Sequence, residues 1–180
     1  MINSDCDWEA IRNAFPLSPI NLDQGISLRP LQLADLDALC LFMTGDPEMT
    51  WPRTSWARSN VEYLLEFRLK HYQNYGFGPY GVLLDGRLIG MAGVQVWEET
   101  TCSIELLVYL AKEVWLKGLG RKLLIWIIDA ARSSGKIKEI YAATREDNNR
   151  AINLARRVGF QEFGKGIHFG HPAIKWIIHI

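Results

Sequence analysis

The sequence predicts a mixed α/β fold in which helices cover one sheet. Three strand patterns follow one another between residues 80 and 110, and turn residues such as Asp85-Gly86 divide them. The stretch LGRKLLIWIIDAARSSG then changes to helical spacing of its apolar residues. A strand, a helix and two closing strands complete the pattern up to residue 180. The order β, α, α, three β, α, β, α, β, β is typical of a single mixed sheet.

The first 25 residues are predicted to be an N-terminal extension. They hold a short helix pattern in DWEAIRNAF and a loop in PLSPINLDQG. A strand in ISLRPL and a helix in QLADLDALCLFM then open the domain, which we expect to span residues 26–180. The next helix, NVEYLLEFRLKHYQNY, is predicted to begin at Ser59 as N-cap, with Glu62 completing a capping box.

Composition narrows the possible partners. The 180 residues fit one domain, and a formal net charge of +0 argues against broad electrostatic capture of nucleic acid or an anionic membrane. Cys6, Cys40 and Cys102 form no CxxC pair, which favours a reducing cytoplasm. The acidic N-terminus and the lack of an 18-residue apolar run indicate neither a signal peptide nor a membrane span. We therefore expect a small molecule or a peptide as partner.

Two glycines stand where a strand, a turn and a helix meet. Gly118 and Gly120 precede the helix, whose first N–H groups lack intrahelical partners at the positive end of its dipole. Lys117 and Arg121 add positive charge, so the unit is a candidate phosphate site, although a tight turn alone would also explain the glycines. A P-loop would need Gly-Lys-Ser/Thr, and a dinucleotide loop would need glycine in place of Leu123.

A third kind of phosphate loop fits better. The run WLKGLG, from Trp115 to Gly120, resembles the pyrophosphate loop of the GCN5-related N-acetyltransferases, in the variant typical of the RimJ/RimL-like branch. Downstream, the order of Asn148, Ala151, Gly159 and Phe160 resembles that family's second motif. The segments LRPLQLADLDAL and IELLVYL also look like the branch, so the resemblance covers residues 26–180.

The resemblance implies a mostly antiparallel, twisted sheet with splayed central strands and an N-acetyltransferase activity. The co-substrate would be acetyl-CoA, with no metal, and the acceptor would be a primary amine of a small molecule or the α-amine of a peptide or protein N-terminus. The implied CoA-binding residues are Tyr109 and Leu110 through backbone groups at the pantetheine arm, Lys117, Gly118, Leu119, Gly120 and Arg121 at the pyrophosphate, and Asn148 beside the thioester.

Acetyl transfer needs a base for the amine and stabilisation of the departing thiolate. Glu105 is the candidate base because it is a carboxylate inside an apolar strand, although a strand glutamate can also simply face solvent. No acid is evident, since Ala151 and Ala155 stand where the family often has Ser and Tyr. Tyr141, Thr144 or a water are the alternatives.

Several features allow a second interpretation. Without the usual acid, the chain could be an acyl-CoA-binding sensor or interaction module that lacks turnover.

His168 and His171 suggest a hairpin rather than a metal site, because no third ligand is evident. The aromatic residues between 51 and 75 could border an acceptor pocket or simply pack the core. They are Trp51, Trp56, Tyr63, Tyr72 and Tyr75.

Overall fold

The computed structural model describes residues 7–22, 24–49, 55–98, 103–168 and 170–180. Within these ranges it contains five α-helices and one eight-stranded sheet. The helices are α1 (Trp8–Ala14), α2 (Leu36–Met43), α3 (Arg58–Tyr75), α4 (Leu119–Ser133) and α5 (Asn149–Arg157). The strands are β1 (Ile20–Asn21), β2 (Ile26–Pro30), β3 (Tyr80–Leu84), β4 (Arg87–Glu98), β5 (Ser103–Leu110), β6 (Glu139–Arg145), β7 (Gln161–His168) and β8 (His171–His179).

The sheet confirms the predicted fold class. Its strand order is β1-β2-β3-β4-β5-β6-β8-β7, and neighbouring strands are antiparallel except for β5 and β6. That parallel pair is joined through α4, as a crossover between parallel strands requires. Alternating apolar residues on both faces of the strands bury the sheet between two layers of helices.

Each face of the sheet has its own apolar cluster. The larger cluster includes α1, α4 and α5, and it encloses Trp176 and Leu123 completely. The smaller cluster lies under α2 and α3, with Leu39, Leu65 and Met91 at its centre. Strand β5 divides its residues between them because successive side chains point to opposite faces. Its even-numbered residues pack in the larger cluster, and its odd-numbered residues face α3.

The central strands splay apart, as the family resemblance implied. Strands β5 and β6 are in register only at Ile104 with Ile140 and at Glu105 with Tyr141. From residue 106 onward β5 has no ladder partner on this side within the described residues, although it stays paired with β4 as far as Leu110. The opening, called the fork here, exposes one edge of β5 residues 106–110. Glu105 lies at its closed end.

The amino-terminal residues are part of the packed structure. Trp8, Ile11 and Phe15 are buried in the larger cluster, so α1 contributes to the core that residues 26–180 build. Whether this stretch is a separate extension, as the sequence predicts, stays a prediction. In the described part of the chain, no helix is both long enough and apolar enough to cross a membrane.

Helix α3 corrects one sequence prediction. It begins at Arg58 with Ala57 as its N-cap residue, two residues before the predicted Ser59 cap. The reason is local, because the Asn60 side-chain oxygen accepts a hydrogen bond from the Ala57 N–H at 2.9 Å. Asn60 thereby fills the role that the capping box assigned to Glu62.

Candidate active site

The loop before α4 has the geometry of an anion site. Gly118 takes φ 81°, a conformation that glycine adopts without the strain of a Cβ atom. The first hydrogen bond of α4 runs from the Lys122 N–H to the Gly118 carbonyl at 3.1 Å. The N–H groups of Leu119, Gly120 and Arg121 precede that bond and lie at the positive end of the helix dipole. The side chains of Lys117 and Arg121 are exposed beside them.

Glycine is needed at position 120 for a different reason from that at position 118. A Cβ atom on Gly120 would lie 3.2 Å from Leu154 Cδ2 and 3.8 Å from Leu110 Cδ1, whereas one on Gly118 would meet nothing within 4 Å. Gly120 therefore lets α4 approach the end of β5 and helix α5 closely. Gly118 provides the turn, and the space around it is open.

Trp115 anchors this loop to the fork. Its indole Nε1–H donates to the Leu110 carbonyl at 2.6 Å. The guanidinium of Arg150 covers the ring at 3.8 Å from its centroid, and Arg150 also contacts Glu48 at 3.7 Å. A tryptophan at the first position of the WLKGLG motif thus connects the end of β5 to the start of α5.

The β4–β5 ladder determines which backbone groups face the fork. The Ala111 N–H donates to the Ile89 carbonyl at 2.8 Å, so every second residue back along β5 is bonded to β4. Tyr109 belongs to that set, and its backbone groups point at Met91 rather than into the fork. The fork-facing groups belong to Val108 and Leu110, and the Leu110 carbonyl is the one that Trp115 binds.

Asn148 lies at the open end of the fork as the N-cap of α5. Its side-chain oxygen accepts a hydrogen bond from the Ala151 N–H at 3.1 Å. Such a cap stabilises a helix by about 1 kcal/mol, so Asn148 has a structural role whether or not it also binds ligand. Ala155, which is buried, offers no proton donor, and the same is true of Ala151.

Glu105 is buried at the closed end of the fork, with 5% of its surface exposed. One carboxylate oxygen accepts from Gln95 Nε2 at 2.5 Å, and the other lies 3.0 Å from His168 Nε2. Arg68 donates to the Gln95 side-chain oxygen. Glu105 therefore does not face solvent. It belongs to a polar cluster built from α3, β4, β5 and β7.

Stacked rings enclose this cluster. Trp97 stacks on both Tyr141 and His168, with ring centroids 5.4 and 5.3 Å away and interplanar angles of 11° and 13°. The Tyr141 hydroxyl donates to Glu139 at 2.9 Å. Thr144, the other candidate acid, accepts from Trp176 Nε1 at 2.9 Å. Since Trp176 lies in the larger cluster, Thr144 is on the opposite face of the sheet from Glu105.

Burial changes the ionisation of several groups beside Glu105. Desolvation lowers the pKa of Arg68, whose Nε atom has no hydrogen-bond partner among the described residues. Burial also raises the pKa of Tyr109. His71, one turn after Arg68 on α3, has its pKa lowered to about 4 by desolvation. The helix that covers Glu105 thus contributes a buried cation and a neutral imidazole.

The predicted aromatic lining does not form one wall. Tyr72 is buried, and its hydroxyl accepts from the Leu31 N–H at 3.1 Å. Tyr75 packs on Trp8, while Tyr63 is exposed on the surface of α3. Trp56 packs at the edge of the smaller cluster, and the predicted Trp51 lies outside the described residues. The core-packing interpretation fits Tyr72 and Tyr75.

His168 and His171 face each other at the end of the β7–β8 hairpin. The described residues contain no group of three or more His, Cys, Asp or Glu side chains placed to hold a metal ion. His168 instead contacts Glu105, a partner that the sequence did not suggest.

Comparison with known proteins agrees with this geometry. The acetyltransferase (GNAT) domain family matches residues 26–161. The L-methionine sulfoximine/L-methionine sulfone acetyltransferase of Pseudomonas aeruginosa is 28% identical over 159 residues, which are 84% of this chain and 89% of that protein.

Two solved structures extend the comparison. The ribosomal-protein-alanine N-acetyltransferase of Brucella melitensis is 27% identical, with a TM-score of 0.64 over 85% of this chain and 99% of that one. RimL, a ribosomal L7/L12 alpha-N-protein acetyltransferase solved with coenzyme A, is 16% identical, with a TM-score of 0.74 over 91% of this chain and 98% of that one. The latter shows a likeness of fold.

The fold and the fork define an acyl-CoA-dependent transferase, and the chain belongs to the GNAT acetyltransferase family. It is an acetyl-CoA-dependent N-acetyltransferase. The comparisons support the enzyme and lend no support to the alternative of a sensor without turnover.

Proposed function

We propose that this enzyme acetylates the α-amino group of a peptide or protein N-terminus or of a free amino acid, with the reaction at the closed end of the fork. The observation that carries the proposal is the buried Glu105 carboxylate, which lies where β5 and β6 separate. The amine nitrogen forms a bond to the acetyl carbon, the C–S bond breaks, and CoA leaves as a thiol. Glu105 is proposed as the catalytic carboxylate that supports deprotonation of the amine.

The CoA arm would lie along the open edge of β5. The Val108 backbone and the Leu110 N–H supply unpaired edge groups of the kind that an amide-bearing ligand pairs with. The pyrophosphate would bind the start of α4, where the N–H groups and the positive dipole favour an anion. The proposed pyrophosphate contacts are Lys117, Gly118, Leu119, Gly120 and Arg121. Asn148 and the Tyr109 side chain would border the thioester end.

An α-amine suits the charges near Glu105 better than a polyamine does. The buried charged side chains in the cluster around Gln95 are the carboxylate of Glu105 and the guanidinium of Arg68. A polycation would need several carboxylates, whereas an α-amine needs one. With a free pKa near 8, the α-amine of a peptide is also easier to deprotonate than a lysine side chain, so it demands less of the catalytic base.

Two sources of the α-amine remain, and each has its own support. The Brucella relative is named for a ribosomal-protein alanine, which favours a protein N-terminus. The Pseudomonas relative is named for free methionine derivatives. Arg68 is a buried cation whose Nε has no hydrogen-bond partner in the part of the chain that the structure describes, and it favours an acceptor that carries its own carboxylate. The absence of paired cysteines in the sequence supports a cytoplasmic location for either reaction.

A panel of acceptors tests the proposal. The enzyme would receive acetyl-CoA with short peptides of different N-terminal residues, with methionine sulfone, with the methyl ester of methionine sulfone, with spermidine and with an aminoglycoside. Thiol release and mass spectrometry would be read together. We expect N-acetylation of α-amines at least tenfold faster than of spermidine. Preference for the acid over its ester would select free amino acids, and acetylation of spermidine alone would contradict the proposal.

A further inference from the structure

We propose that His168 completes Glu105 into a carboxylate–imidazole pair, in which the ring takes the proton from the acceptor amine and Glu105 orients and stabilises the ring. This inference rests on the proposed reaction at the fork. The atom that accepts the proton is then a ring nitrogen of His168 instead of a carboxylate oxygen of Glu105, and Glu105 acts through the ring.

The geometry places Glu105 behind His168. The two side chains meet at 3.0 Å between Nε2 and Oε1, and the exposed fractions are 6% for the glutamate and 15% for the histidine. The ring is therefore the outer member of the pair and the one nearer to an incoming amine. An ionised carboxylate only accepts hydrogen bonds, so Nε2 carries the proton in the resting pair. In the neutral ring the nitrogen with acceptor character is then Nδ1.

Neighbouring side chains hold both His168 and Glu105 in position. Trp97 stacks on the His168 ring with an interplanar angle of 13°, which limits ring rotation. Gln95 binds the second carboxylate oxygen and in turn accepts from Arg68. A histidine that only filled space at a hairpin end would need neither a buried carboxylate nor a stacking partner. Preorganised polar groups of this kind are what stabilises charge that develops during a reaction.

The surrounding groups leave Glu105 as the buried negative charge of the pair. Arg68 approaches from α3 on the far side of Gln95, and Tyr109 lies on the same face of β5. Tyr141 from β6 stacks on Trp97, and Lys175 from β8 lies 6.0 Å from the Trp97 ring centroid. None of these four described neighbours is a carboxylate. An imidazolium formed at His168 would therefore be stabilised by Glu105.

The proton balance is complete without another reactant. One N–H bond of the ammonium breaks, and its proton forms the Nδ1–H bond of His168, directly or through a water. The freed lone pair forms the C–N bond as the C–S bond breaks. The amine's second proton leaves with the CoA thiolate as the thiol. The ring then returns its Nδ1 proton to water.

Two substitutions of His168 separate proton transfer from packing. In His168→Gln the side-chain amide can still donate to Glu105 but cannot take up and release a proton. We expect kcat to fall about 100-fold, in the range typical of a lost acid–base group, with the KM for acetyl-CoA within about threefold of wild type. In His168→Ala, added imidazole should restore kcat at least about tenfold. His179→Gln is the matched control, since His179 pairs with Glu139 at 3.1 Å on the exposed surface.

The outcomes are distinct. The proposed pair would be overturned if kcat of His168→Gln stayed within threefold of wild type. It would also be overturned if imidazole did not rescue a folded His168→Ala enzyme. In both cases the proposed function would still stand, because the wild-type enzyme acetylates its acceptor. If wild type acetylates no amine, the proposed function fails instead. Nitrogen NMR of the neutral His168 ring then still decides the pairing, because a proton on Nε2 supports it and a proton on Nδ1 contradicts it.

Discussion

The two ends of the fork are built in different ways. At the proposed CoA-binding end, the candidate groups are backbone groups between Leu110 and Arg121, and one side chain, Trp115, holds the loop to β5. At the closed end, four side chains from α3, β4, β5 and β7 converge. The first end depends on a continuous stretch of chain. The second depends on the register of three strands and on the packing of one helix.

This difference has consequences for substitution. A backbone site tolerates most side-chain changes and is sensitive to charge and to glycine conformation. A buried side-chain cluster is sensitive to each of its members, because removing one leaves another polar group without its partner. The two ends should therefore respond separately, with CoA affinity reporting on the loop and turnover reporting on the cluster.

The largest effect is expected from Glu105→Gln. Glutamine keeps the shape of the side chain but removes the charge that supports proton transfer, so kcat should fall by about 10² to 10³. Thiol-release kinetics would measure this, with Glu62→Gln on the exposed face of α3 as the control. Turnover within threefold of wild type would show that the buried carboxylate is structural.

A second prediction concerns the helix that covers the cluster. His71 donates from Nδ1 to the Phe77 carbonyl at 2.9 Å and accepts the Val96 N–H at Nε2 at 3.1 Å, an arrangement that requires a neutral ring. Burial lowers the pKa of His71 to about 4 from the ordinary 6.5. Between these values the unfolded chain binds a proton that the folded chain does not, so stability is lost as pH falls.

Urea unfolding at pH 7 and pH 4 would measure this loss. From pH 7 to pH 4, the free energy of unfolding should fall by about 3 kcal/mol more in wild type than in His71→Asn. This difference follows from about 1.4 kcal/mol per pKa unit. Equal losses in both proteins would mean that His71 does not anchor α3 on β4 in its neutral form.

A smaller effect is expected at the CoA end. Gly118 has φ 81° and open space around it, and Asn and Asp tolerate this conformation better than other side chains do. Gly118→Asp should raise the CoA dissociation constant at least about tenfold relative to Gly118→Asn, because the two differ only in a charge beside the pyrophosphate. Calorimetry would compare them. Equal affinities would place the pyrophosphate elsewhere.

The same contrast explains what sequence alone could predict. The WLKGLG loop and the motif that begins at Asn148 are local patterns, and the family followed from these motifs together with the element order. Arg68 and Gln95 were missed as site residues, and so was the contact of His168 with Glu105, because nothing local in the sequence marks them. Gln95 lies opposite Glu105 only through the β4–β5 register, and His168 reaches it only because β7 and β8 close the sheet beyond β6. The one signal available in the sequence was the register of the β4–β5 hairpin, which pairs the polar residue Gln95 with Glu105.

Tyr109 shows a finer limit. The motif located the strand end correctly, but which backbone groups face the fork depends on which β5 residues are bonded to β4. The hydrogen bond from the Ala111 N–H to the Ile89 carbonyl shows that alternate residues of β5, including Tyr109, are bonded to β4. The backbone groups of Val108 and Leu110 therefore point into the fork. Likewise, the Tyr72 hydroxyl is committed to the Leu31 backbone, a contact 41 residues away that sequence periodicity could not reveal.

We propose that one fork holds a CoA site and a proton-transfer cluster whose functions can be separated by substitution. Calorimetric titration of CoA into Glu105→Gln, on the same preparation used for thiol release, tests it most directly. We expect a dissociation constant within about threefold of wild type in a protein whose turnover is lost. A variant that loses CoA affinity together with turnover would contradict it, because the carboxylate would then support the binding site itself.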